Sequence, residues 1–220
     1  MKITLFSLTL VVGGLNAHAQ SSQFQTAITQ NLATLDTVTR SAGFKKLTGN
    51  FERIAAAEKT QWLPYYYASY CAIRTARLER DFNKLDATLD KAESLAQSAN
   101  ALSPKNSEVY CLNALIAYTR INVDFMARGP KFSGIANEAL ATAQQLAPAN
   151  PRPYLLIGQS KYSTPEQFGG DKKLACQYFE KANVLFAAAQ ASPINPRWGK
   201  ADAARYLGLC NQPAAATAKK

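Results

Sequence analysis

PRPYLLIGQSKYSTPEQFGGDKKLACQYFEKANVLF, residues 151–186, reads as two apolar helical stretches separated by a Pro and a Gly-Gly break. Tyr154 and Gly158 lie four apart in the first stretch, and Ala175, Phe179 and Ala182 follow at helical spacing in the second. Side chains three and four apart share a helix face, so small residues here let two backbones approach while rings fill the seam. The stretch predicts a helical hairpin. Gly169-Gly170-Asp171 reads as its turn, with Asp171 capping the next helix; the phosphate-loop pattern G-x-x-x-x-G-K-[ST] is absent.

The same arrangement recurs towards the amino terminus. Phe24, Ala27, Ile28, Leu32, Leu35 and Val38 keep helical spacing, Ser41-Ala42-Gly43 breaks it, and Leu47, Phe51 and Ile54 mark a second helix over about 44–59. WLPYYYASYCAIRTARLERD (62–81) opens the next pair, with Pro64 in a first turn where its missing N–H costs nothing. Leu85, Leu89 and Ala92 mark its partner helix. Tyr110 and Ala114 open the third pair, DFMARGPKFSG (124–134) reads as a long loop, and Ala136, Leu140 and Ala143 follow. Pro196-Arg197-Trp198-Gly199 opens a last helix through Leu209. Tyr65, Tyr110, Tyr154 and Trp198 stand 45, 44 and 44 residues apart, so one unit takes about 44 residues.

On these residues the chain resembles the tetratricopeptide-repeat (TPR) family, whose pattern is an aromatic, a small residue, A-x3-F-x2-A and a late Pro, here Pro193. The period is longer than the family's usual 34. FERIAAAEKTQWLPYYYASY (51–70), RINVDFMARGPKFSG (120–134), TPEQFGGDKK (164–173) and NPRWGK (195–200) also resemble small exported TPR proteins of Bacteroidetes-type bacteria. The resemblance implies an all-α, right-handed superhelical solenoid of about four TPR-like hairpins plus a C-terminal capping helix. Its units would span about 24–60, 62–104, 106–150 and 151–193, with the cap at 196–210 and a disordered tail at 211–220.

It also implies a concave face lined by the first helix of each unit, where Tyr66, Tyr70, Glu108, Tyr118, Arg152, Gln159 and Tyr162 would point. Such a groove suits an extended apolar or aromatic-bearing peptide, with Arg152 available to a carboxylate. The expected function is a non-catalytic scaffold that binds a protein or peptide there. The alternative is a binder of a small molecule or an anionic envelope polymer, held by basic surface residues.

Residues 1–20, MKITLFSLTLVVGGLNAHAQ, combine Lys2, an apolar run from Ile3 to Leu15 and Ala17-His18-Ala19. This is the pattern of a secretory leader cleaved after Ala19, and its apolar run is too short to span a bilayer. The mature chain is expected in the periplasm and not as a membrane-spanning protein. His18, the only histidine, would leave with the leader, so the mature chain has no histidine base, triad or metal ligand.

The formal charge of +10 comes from 25 Lys and Arg against 15 Asp and Glu, spread without a dense run. No basic-aromatic motif points to nucleic acid, and nothing in the sequence signals an oligomeric state. Asp81, Asp86, Asp90 and Glu93, interleaved with basic residues, read as a solvated helix face rather than an acid/base pair. No enzyme activity, cofactor or metal is expected. Cys176 and Cys210 each lie 17 residues from Pro193, so an antiparallel hairpin about that Pro sets them opposite as a candidate disulfide. Cys71 and Cys111 would be offset by about 7–8 Å along parallel helices, beyond an unstrained bridge, and read as buried thiols.

Overall fold

The computed structural model describes residues 14–190 and 192–212, with side chains from Ser22 onward. Nine α-helices follow in order among these residues: α1 Gly14–Leu35, α2 Ser41–Ala57, α3 Trp62–Arg77, α4 Phe82–Leu102, α5 Ser107–Ile121, α6 Phe125–Leu146, α7 Pro151–Ser163, α8 Lys172–Ala188 and α9 Lys200–Cys210. One 3-10 turn, Glu166–Phe168, lies between α7 and α8. Residues 1–13 of the expected leader and 213–220 of the expected tail lie outside the described residues. No described helix is long and apolar enough to cross a membrane.

The helix starts are written in short polar side chains. Asp81, Asn106, Asp124, Asn150 and Asp171 each accept a hydrogen bond from a backbone N–H in the turn they cap. Each such cap is worth about 1 kcal/mol. Asp124 makes the largest difference to the sequence reading. Residues 125–134, expected as loop, are instead the opening of α6. Pro130 sits in this helix close enough to the exposed start that water can replace the backbone bond it removes. The last helix is shorter than expected: residues 196–199 are not helical, and α9 begins only at Lys200.

Successive helices pack antiparallel, α3 against α4, α5 against α6, and α7 against α8. Buried hydroxyls tie two of these pairs, Ser69 donating to the Ala92 carbonyl at 2.7 Å and Ser107 to that of Ala143 at 2.9 Å. In the third, a Cβ at Gly158 would come within 2.6 Å of the Phe179 ring, so glycine is what allows α7 and α8 their approach. The helices α3, α5 and α7 lie side by side and point the same way. Their starts bring Tyr66, Glu108 and Arg152 together, and their ends bring Arg77, Asn122 and Ser163 around one cavity.

The solenoid expected from the spacing does not describe this fold. In a solenoid each unit touches only its neighbours. Here the segment after α8, residues 192–199, returns across the bundle to α3. Tyr67 Oη donates to the Ile194 carbonyl at 2.7 Å, Trp198 Nε1 donates to Tyr66 Oη at 2.7 Å, and Arg197 pairs with Asp36 at 2.6 Å. These contacts join residues more than a hundred positions apart and close the helices into a bundle. Gly199 makes the turn possible. Its φ is +100°, and a Cβ there would lie 2.8 Å from Leu155 and 2.9 Å from Phe186.

Candidate functional site

The trough formed by α3, α5 and α7 has two unlike halves. At the helix starts it is filled. Tyr66 is fully buried and its Oη donates to Glu108 Oε2 at 3.2 Å while accepting from Trp198. Glu108 Oε1 accepts from Arg152 Nη1 at 3.0 Å and from Asn150 Nδ2 at 2.9 Å. Arg152 also donates through Nη2 to the Pro196 carbonyl, and its guanidinium lies over the Trp198 ring at 5.1 Å. Trp198 completes the plug by stacking on Tyr70 at 5.3 Å.

This arrangement corrects the expected groove. Tyr66, Tyr70, Glu108 and Arg152 do not face a partner; they are covered by the chain's own residues 192–199. Arg152, expected to be available to a carboxylate, is 6% exposed and already holds one. Burial lifts the Glu108 carboxyl above the ordinary glutamate range against the pull of Arg152, and pushes the Tyr66 and Tyr67 phenols well up. Tyr162 is taken up elsewhere, against the stacked rings of Phe179 and Tyr206.

At the helix ends the trough is open. A cavity of about 650 Å³ lies there. Leu115, Leu156 and Ile121, all buried, form its floor. Its walls are Phe125 and Met126 from the first turn of α6 and Phe168 from the 3-10 turn, residues that are 44%, 70% and 51% exposed. The two phenylalanine rings meet edge to face at 5.4 Å. Of the seven groove residues named from the sequence, Tyr118 and Gln159 line this cavity. Burial raises the Tyr118 phenol above its ordinary range, and its Oη donates to Asn137 Oδ1 at 3.3 Å. Arg77, the last residue of α3, stands on the rim.

The sequence reading missed Phe125, Met126, Phe168 and Arg77. For the three apolar residues one signal was present: two stretches read as loop each carried large apolar residues, which loops have no packing reason to hold.

The acidic stretch of α4 is also not a bare solvated face. Asp86 takes both Nη atoms of Arg128 at 2.8 Å, and Asp90 and Glu93 hold Arg120 at 2.6 and 3.0 Å. Side chains of α4 are thereby tied to α5 and α6. Cys176 and Cys210 are joined in a disulfide that fixes α9 to α8, while Cys71 and Cys111 are free and buried. Burial pushes the Cys71 thiol up to about 12, so it is unreactive at neutral pH. Among the described residues no group of three or more His, Cys, Asp or Glu is placed to hold a metal ion.

The helical bundle thus has one end of its trough sealed by its own chain and the other open as a cavity. No family model matches the sequence, and no curated protein matches it. Among solved structures, the chain is similar to the HusA haemophore from Porphyromonas gingivalis. The two are 33% identical with a TM-score of 0.77, over 94% of this chain and 99% of that one. The chain belongs to the family of that haemophore, and it is an exported protein. This overturns the resemblance to the TPR family, and with it the scaffold for a protein or peptide. The 44-residue spacing reflects stacked helix pairs, and such pairs also build this bundle.

Proposed function

We propose that the chain is itself a haemophore, a carrier that binds haem in the cavity at the ends of α3, α5 and α7. The observation that carries this reading is the apolar wall of Phe125, Met126 and Phe168, left uncovered beside a cavity of about 650 Å³ in a chain of this family. Exposed apolar surface gathered in a concave site marks binding of an apolar ligand. Haem is a flat, largely apolar macrocycle whose faces are covered by rings and aliphatic side chains. The volume lies within the usual range for a site of this kind. The small-molecule alternative from the sequence is the one favoured, with the contacts made chiefly by apolar side chains.

The cavity residues suit the macrocycle more than its metal. Among the described lining residues there is no histidine, and only Met126 and Tyr118 offer a side-chain atom of the kind that ligates haem iron. Binding rests chiefly on burial of the ring faces between Phe125 and Phe168 on one side and the Leu115–Leu156 floor on the other. Each half-exposed phenylalanine that becomes covered contributes about 1 kcal/mol.

The test is titration of the chain with haem, followed through the Soret absorbance. Phe125→Ala with Phe168→Ala is expected to weaken binding about tenfold or more. Val184→Ser, at an exposed position of α8 outside the cavity, is expected to leave it unchanged. Equal affinity in the double variant and the wild type would remove the cavity as the haem site.

A further inference from the structure

We infer that Arg77 reads the carboxylate edge of the ligand, so that the cavity selects tetrapyrroles bearing free acid groups over their neutral esters. This rests on the haem reading above and adds to it the chemistry at the rim. Among the described residues, Arg77 is the one charged residue lining the cavity. It is exposed and forms no hydrogen bond or ion pair with any described residue.

The neighbouring cations are already engaged. Arg74 donates to Tyr70 Oη at 3.1 Å and lies over the Phe44 ring at 4.7 Å. Arg120 and Arg128 are held by the carboxylates of α4. Lys161 donates to the Gly169 carbonyl at 2.9 Å. A cation in the last turn of α3 suits the partial negative charge of a helix end, and that alone explains a basic residue at position 77. It does not explain why this arginine opens on a cavity with an apolar floor and wall whose described lining residues include no acid.

Low-polarity walls screen a charge less than open water does, so the unpaired guanidinium sets the sign of the potential at the cavity mouth. Haem carries two propionate groups on one edge of an otherwise apolar disc. With the disc between the phenylalanine wall and the leucine floor, that edge belongs at the rim. There a guanidinium can give a carboxylate two parallel hydrogen bonds. An ester has the same ring to bury but no charge to offer.

The experiment compares haem with haem dimethyl ester, in which both propionates are capped, on the full chain and on Arg77→Ala and Arg77→Lys. The wild type is expected to prefer the diacid about tenfold. Arg77→Ala should lose that preference by weakening haem while leaving the ester unchanged, and Arg77→Lys should keep part of it. Arg77 is exposed and unpaired, so the fold is untouched, which far-ultraviolet circular dichroism verifies. Equal binding of diacid and ester by the wild type, or a preference that survives in Arg77→Ala, would overturn the inference while leaving the haem reading in place. Failure of the wild type to bind either compound defeats the haem reading and this inference together.

Discussion

Replacing Trp198 with alanine tests whether residues 192–199 are an integral part of the fold. Trp198 contributes through three contacts that can be priced separately. Its stack on Tyr70 at 5.3 Å is worth about 1 kcal/mol. The Arg152 guanidinium over its ring at 5.1 Å adds about 1 kcal/mol. Its hydrogen bond to Tyr66 Oη at 2.7 Å adds about 1 kcal/mol. Trp198→Ala should therefore destabilise the chain by about 3 kcal/mol. For a chain of this length that lowers the melting temperature by about 6–12 °C. Trp198→Phe keeps a ring on Tyr70 and under Arg152 but removes the N–H. Tyr66 still donates to Glu108, so this variant should lose only about 1 kcal/mol, or 2–4 °C. Thermal unfolding followed by circular dichroism reads both. An alanine variant melting within about 1 °C of wild type would mean that the Trp198 side chain does not hold the returning segment in place. A phenylalanine variant as unstable as the alanine one would show that the ring contacts are not what holds it.

Gly158→Ala forces a methyl against Phe179 at 2.6 Å and should destabilise the chain by about 1–3 kcal/mol; a denaturant midpoint equal to wild type would show that α7 and α8 have room to spare. Glu108 should leave a signature in the pH dependence of stability. Because burial raises its pKa above the ordinary 4.5, the folded chain keeps this proton to higher pH than the unfolded chain. From about pH 4.5 upward, until the folded carboxyl has ionised, stability falls as pH rises. Subtracting the profile of Glu108→Gln, which cannot titrate, isolates that slope, and parallel profiles for the two proteins would refute it.

The helices were legible because their signals are local. Periodic apolar residues such as Ile28, Leu32, Leu89 and Phe179 are buried in the structure. Asp171 caps α8 as its place before an apolar run implied. Where the reading went astray locally, two local signals competed: Pro130 and its flanking glycines argued for loop, while the Asp124 cap and the apolar residues beyond it carried the helix through. Helix identity and pairing, then, were decided by interactions within a few turns of chain.

What the trough holds was not of that kind. Tyr66, Tyr70, Glu108 and Arg152 share one face of the first helices, and the sequence alone placed them there by helical spacing. Whether that face meets a partner or the chain itself depends on Ile194, Pro196 and Trp198 arriving from the far end, a contact that carries no periodicity and no motif. The open cavity is decided in the same way, by three turns from separate helix pairs meeting at one end of the bundle and leaving Phe125, Met126, Phe168 and Arg77 uncovered. The sequence by itself determined the all-α class, the helix pairs and most of the core, because burial periodicity is written residue by residue. Only the tertiary structure decided which half of the trough is sealed and which is open, because that is set by contacts between residues that are neighbours in space alone.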